Sequence, residues 1–161
     1  MVIVYASKTG HTERYAQMLG AKTGLKVYSV KERAKLAKDE GIIFLGWMKV
    51  GKIQGLKKMK GYSIKAVCGS GTAKDAEPDT QTVIARNELE GMPFFYLRGG
   101  SIPLKEHRGM DKIMLTLFVR MLKNRKDKDE KTIEAISVME NGYDGVKEEN
   151  LAPVIQWIMT K

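Results

Sequence analysis

Apolar positions along the chain follow two patterns, short continuous runs and stripes recurring every three or four residues. Val2-Ile3-Val4-Tyr5-Ala6 is a continuous run rich in β-branched residues, the mark of a strand covered on both faces. Residues 26–30 read as a short second strand, and 41–46 as a third, framed by Gly41 and Gly46. Residues 64–68 and 93–97 complete a set of five. Between these runs the period changes. Tyr15, Ala16, Met18 and Leu19 form a helical stripe that Gly24 stops. Residues 32–38 read as a polar helix and 80–90 as a crossover helix. Strands alternating with helices predict right-handed βαβ units and a parallel sheet.

Beyond the fifth strand the pattern is helical. Met110, Ile113, Met114, Leu117, Phe118, Met121 and Leu122 recur at helical spacing within 109–124 and read first as a core-packing stripe. Leu115 and Val119 lie off that stripe and widen the apolar surface. Residues 123–131 are a solvated charge run, and 147–160 a last helix with Leu151, Val154, Ile155, Ile158 and Met159 on its apolar face. No repeat, low-complexity tract or linker divides the 161 residues, so one domain is expected.

Charge sharpens this picture more than composition does. The net charge of +9 is concentrated in residues 1–74, which hold 15 Lys+Arg against 4 Asp+Glu, whereas residues 75–161 hold 13 against 15. This asymmetry points to an acidic partner, an anionic ligand or an anionic membrane surface. The basic stretches lack the interleaved aromatics of a base-stacking platform, so no nucleic-acid partner is expected. With one cysteine, Cys68, an internal disulfide is excluded and a reducing, cytoplasmic setting is expected. His11 and His107 are too few and too scattered to suggest a metal cluster, and His107 reads as solvated. No uncharged apolar run approaches the ~20 residues that cross a bilayer, and the first run is too short for a secretory signal.

Candidate chemistry gathers where the strands end. In an open parallel sheet, ligands sit beyond the carboxyl ends of the strands, where strand order reverses. Ser7-Lys8-Thr9-Gly10-His11-Thr12 follows the first strand and leads into a helix. Three hydroxyls and a glycine at a helix start suit a phosphate, which side-chain O–H and backbone N–H donors would hold. A plain helix cap by Thr9 or Thr12 explains only one of the hydroxyls. Gly46-Trp47-Met48-Lys49 follows the third strand, placing an indole where it can lie against a planar ring or plug the core edge. Gly69-Ser70-Gly71-Thr72 and Asp75 follow the fourth, where glycines admit close approach of a ring edge to the backbone. The P-loop and the G-x-G-x-x-G pattern are both absent, and no acidic residue ends the first strand to hold a metal.

These three loops resemble the flavodoxin-like family, whose phosphate loop [ST]-x-T-G-x-T is matched by Ser7, Thr9, Gly10 and Thr12. His11 departs from the family's usual asparagine. The resemblance covers the order of elements through about residue 98. It implies a three-layer α/β sandwich with a five-stranded parallel sheet of order 2-1-3-4-5, the topology of flavodoxin itself, and an FMN cofactor. Ser7, Lys8, Thr9, Gly10, His11 and Thr12 are then expected at the FMN phosphate. Gly46, Trp47, Met48, Lys49, Gly69, Ser70, Gly71, Thr72 and Asp75 are expected at the ring, with no catalytic side chain required. Residues 98–131, an inserted basic segment opening on Arg98-Gly99-Gly100-Ser101-Ile102-Pro103, look like those of the flavodoxin-type, menaquinone-dependent protoporphyrinogen oxidases. That implies a flavoprotein oxidoreductase passing electrons from a porphyrinogen-type substrate to a quinone, peripheral to the inner face of an anionic membrane. The alternative is an electron-transfer protein with a redox partner protein and no substrate of its own. A third reading is a flavodoxin fold without FMN that serves as an interaction domain.

Overall fold

The computed structural model describes residues 1–161. Its central sheet is built from β1 (Val2–Ala6), β2 (Val27–Ser29), β3 (Ile42–Lys49), β5 (Ile64–Gly71) and β6 (Phe94–Arg98). All pair in parallel in the order β2-β1-β3-β5-β6, and β4 (Lys52–Ile53) folds back antiparallel on β3 as a short hairpin. Counting only the five parallel strands, this is the expected 2-1-3-4-5 sheet, consistent with a three-layer flavodoxin-like sandwich.

The alternation along β1 explains the two cores. Val2, Val4 and Ala6 join the cluster containing Phe44, Met59, Val67 and Val83, while Ile3 joins the opposite cluster with Tyr15, Leu19, Leu45 and Cys68. Successive side chains of a strand point to opposite faces, so a strand covered twice must be apolar throughout. One face is covered by α1 (His11–Thr23) and α5 (Ala152–Met159), through Tyr15, Ala16, Leu19 and Val154. The other is covered by α2 (Thr80–Arg86) and two short 3-10 crossovers, Val30–Lys35 and Leu56–Met59, through Val30, Val83 and Met59. Gly24 ends α1 in the left-handed region at φ 71°, as its position as a stop signal predicts.

Several boundaries differ from expectation. The polar helix expected over 32–38 is a short 3-10 helix, Val30–Lys35, fixed at its start by a Ser29/Glu32 capping box; too few apolar positions follow to anchor a longer helix. β3 and β5 each run three residues past the expected end, because Trp47 pairs with Ser70 and Gly46 with Gly69. α2 stops at Arg86, where the Asn87 side chain bonds back to the carbonyls of Val83 and Gly51. Met159 is exposed beyond the packed part of α5.

The largest difference lies after β6. There α3 (Gly109–Lys123) packs against α4 (Glu130–Asn141), and the ribbon β7 (Gly100–Ser101) with β8 (Tyr143–Asp144) ties the ends of this insertion together. The expected core stripe of α3 faces outward: Met110, Ile113, Met114, Leu117, Phe118 and Met121 are 45–69% exposed. Val119, expected off the stripe, is buried with Leu122. Large apolar residues are too many on this one helix for a single neighbouring helix to cover, so one face remains unpartnered. No helix is long and apolar enough to cross a membrane.

Candidate functional site

At the carboxyl edge, β1 pairs on one side with β2 and on the other with β3, so the chain leaving Ala6 enters the crevice at the switch of strand order. The turn that follows is held by its own first hydroxyl: the Gly10 N–H donates to Ser7 Oγ at 3.1 Å. Gly10 precedes α1 at φ 89°, a left-handed conformation that favours glycine, and no side chain caps the helix. Neither threonine is therefore the helix cap. Thr9 Oγ1 lies 2.8 Å from His11 Nδ1, whereas Thr12 is 2% exposed and its hydroxyl has no partner in the chain. The backbone N–H groups of Lys8, Thr9, His11, Thr12 and Glu13 are likewise without partners in the chain. Donors converge here at a helix start, where the peptide dipoles add positive potential.

His11 is wedged against the ribbon of the insertion. A Cβ on Gly100 would collide with the His11 ring at Nε2, so only glycine permits this approach. Burial of the imidazole lowers its pKa, and Asp144 opposes that only in part because its carboxylate is bound by Arg14 at 2.7 Å.

Lys8 links the turn to its neighbours. Its Nζ lies 5.2 Å from the centre of the Trp47 ring and 2.5 Å from Asp111 Oδ2 on α3. The Lys8 hydrogen bond holds the Asp111 carboxyl below its ordinary range, with smaller contributions from Lys49 and His107. The first loop, the end of β3 and the start of α3 thus meet around Trp47, which is half-buried. Gly46, Trp47, Met48 and Lys49 all belong to β3 rather than to a loop. At Gly46 a Cβ would meet Ile53 at 2.5 Å and the Gln54 carbonyl at 2.7 Å, so this glycine makes room for the returning hairpin.

At the end of β5, Gly69, Ser70 and Gly71 are also strand residues. The space over Gly69 is taken by Met48 Sδ, 2.7 Å from an added Cβ, and that over Gly71 by the Tyr96 hydroxyl at 2.8 Å. Ser70 is buried, while Thr72 and Asp75 are exposed on the bend beyond. Tyr96 donates to the Ala73 carbonyl at 2.7 Å and fixes that bend; burial pushes its pKa up, which keeps the phenol a donor. From Met48 a cleft of about 1210 Å³ opens between this bend, the β3–β4 tip and α4, with Thr72, Asp75, Tyr96, Val138 and Met139 on its walls. Its volume exceeds the ~300–1,000 Å³ usual for small-molecule pockets.

The structure therefore joins Ser7–Thr12 to Trp47 and Lys49 through Lys8, and Met48 to Thr72 and Asp75 through the cleft. It adds Asp111, Tyr96, Val138 and Met139, which sequence reasoning missed. Ile133, Ile136 and Met139 recur at a spacing of three, a helical signal obscured by the preceding charge run. His107, expected to be solvated, is half-buried with Nε2 enclosed and unpaired. Arg98 Nε is also enclosed and unpaired, although its Nη2 bonds Glu134 at 2.8 Å. No known family's model matches the sequence, and no curated protein matches it.

Proposed function

We propose that the chain is an FMN-binding, flavodoxin-like oxidoreductase that passes electrons from a porphyrinogen-type substrate to a quinone at the carboxyl edge of its sheet. The observation that carries this reading is the unpartnered donor set of the first loop: free N–H groups at Lys8, Thr9, His11, Thr12 and Glu13 around the unpaired hydroxyl of the buried Thr12. A phosphate dianion would accept charge-assisted hydrogen bonds from several of these donors together. The fit extends beyond the phosphate, since an indole and then a cleft follow it along the same edge. When bound, the flavin supplies the two-electron redox chemistry, and the chain supplies binding, orientation and field. Lys49, which has no ion-pair partner, adds a positive potential two residues beyond Trp47 that favours an anionic reduced ring. Met48 and Tyr96 fill the floor and limit water there.

The exposed apolar face of α3, with Arg120 at its edge, supports contact with an anionic membrane, where a quinone would be met. A second reading, an electron carrier with a protein partner and no substrate of its own, is favoured by the lysine-rich surface beside β3. The test of the common core is the visible spectrum of the purified protein with and without added FMN, followed by titration with riboflavin. The expected result is a yellow protein that binds FMN far more tightly than riboflavin. Equal affinity for the two removes the first loop from the site. Turnover of a porphyrinogen with a quinone as acceptor then separates the enzyme from the carrier.

A further inference from the structure

Between Glu40 and Asp75 the chain carries seven lysines, Lys49, Lys52, Lys57, Lys58, Lys60, Lys65 and Lys74, and no acidic residue. All seven are exposed, and none takes part in any of the six ion pairs of the structure. A charge run is most often a solvated face, yet the rest of the chain is nearly balanced, with 21 Lys+Arg against 19 Asp+Glu. Unpaired like charges repel, so gathering them on one side has a cost that dispersing them would avoid.

Their placement is not random with respect to the site. Lys49 and Lys52 flank the β3–β4 tip, two residues and five residues beyond Trp47. Lys57 and Lys58 lie on the 3-10 crossover that begins at Gly55, which packs on Ala6 at the end of β1. Lys8 and Lys74 stand on the loops after β1 and β5. The acids nearest in sequence, Asp75, Glu77 and Asp79, line the cleft from the bend after β5, and Asp111 is occupied by Lys8. The outer side of the β3 hairpin is thus uniformly cationic right up to the candidate ring position.

We infer that this lysine face is the docking surface for an acidic electron-transfer protein, which exchanges electrons with the cofactor over the β3–β4 tip. The inference rests on the FMN reading above, in its form as a carrier with a protein partner. Opposite charge steers a partner to the edge where electrons leave or enter, and leaves the contact weak enough to release it. One electron passes per encounter with a one-electron partner, so two encounters and one solvent proton complete the two-electron reduction of the flavin to its anionic form. Nucleic acid is disfavoured as the occupant because the face offers only Tyr62 as an aromatic, and Lys38 already covers that ring at 3.6 Å.

The test uses FMN-loaded protein and a reduced, acidic plant-type [2Fe–2S] ferredoxin as probe, with flavin reduction followed by stopped flow. The second-order rate is expected to fall at least about tenfold between about 0.01 and 1 M salt, as the Debye length shrinks from about 30 to about 3 Å. At low salt, the triple variant Lys52→Glu, Lys57→Glu, Lys58→Glu should lose a similar factor. The triple variant Arg125→Glu, Lys126→Glu, Lys147→Glu should not. A rate independent of salt, or equal loss in the two variants, overturns the inference. So does a lysine-face variant that loses binding to duplex DNA or anionic vesicles while keeping its ferredoxin rate. Calorimetric titration of the flavin-free protein with the ferredoxin separates the two readings: binding without FMN uptake keeps the docking face and ends the flavin proposal.

Discussion

Thr12 and Thr9 look equivalent in the motif, but the fold gives them different work. The Thr9 hydroxyl is committed to His11, whereas Thr12 is buried and its hydroxyl has nothing to bond. Thr12→Val should therefore weaken FMN binding by about 1.5–3 kcal/mol, roughly 10- to 150-fold, with little loss of fold stability. Thr9→Val should cost less; calorimetric titration of the two variants checks the order. His11 supports a prediction in pH. Burial lowers its folded pKa below the unfolded value near ~6.5, so over that interval the unfolded chain binds more protons. Stability should be full above the unfolded pKa and decline as pH falls through it toward the folded pKa. His11→Gln should flatten that decline in urea titrations run across the acid range. A phosphate dianion beside the ring acts in the opposite direction, so added FMN should raise the pKa of the His11 imidazole in an NMR titration.

At the scale of elements, Trp47 and Trp157 offer a comparison within one molecule. Trp47 lies near the end of β3 under Lys8, while Trp157 lies on α5 against Phe95, with ring centres 6.3 Å apart. FMN binding should quench the emission of Trp47, and Trp47→Phe should remove most of the change, read by fluorescence titration. Quenching that survives the substitution moves the ring away from β3. The five strands and α1 were legible because their apolar runs and stripes serve one purpose, burial against the sheet. Gly10 and Gly24 were legible because turn and stop signals are local. What escaped depends on distant neighbours. Trp47 reads as a loop residue until Ser70 pairs with it, and Gly69 reads as open space until Met48 fills it. The stripe of α3 was legible as a helix but not as a surface, because period alone does not say whether a partner is present. α4 was hidden by its charged start, and with it went one wall of the cleft.

For the molecule as a whole, six of the ten exposed large apolar residues gather on α3. Val119 and Leu122 are the buried residues of the helix, leaving Met110, Ile113, Met114, Leu117, Phe118 and Met121 exposed. Arg120 is exposed at the edge of this face, and Ile133 of α4 is 55% exposed. A contiguous apolar patch of this kind marks an interaction site on a protein surface, and cations beside it select an anionic one. Each basic residue near such a surface contributes about 1 kcal/mol, an attraction that salt screens. FMN-loaded protein should therefore cosediment with vesicles containing phosphatidylglycerol at low salt, and not with vesicles of phosphatidylcholine alone. Met114→Glu with Leu117→Glu should abolish the binding while leaving the thermal midpoint nearly unchanged, since both side chains point outward. Val119→Glu should instead loosen the α3–α4 hairpin and lower the midpoint, distinguishing a lost surface from a lost fold. A protein that ignores anionic vesicles at low salt leaves the face for a second copy of the chain, which sedimentation equilibrium would reveal as a concentration-dependent mass. Vesicle binding, conversely, places the acceptor in the membrane and favours the quinone-linked enzyme over the soluble carrier.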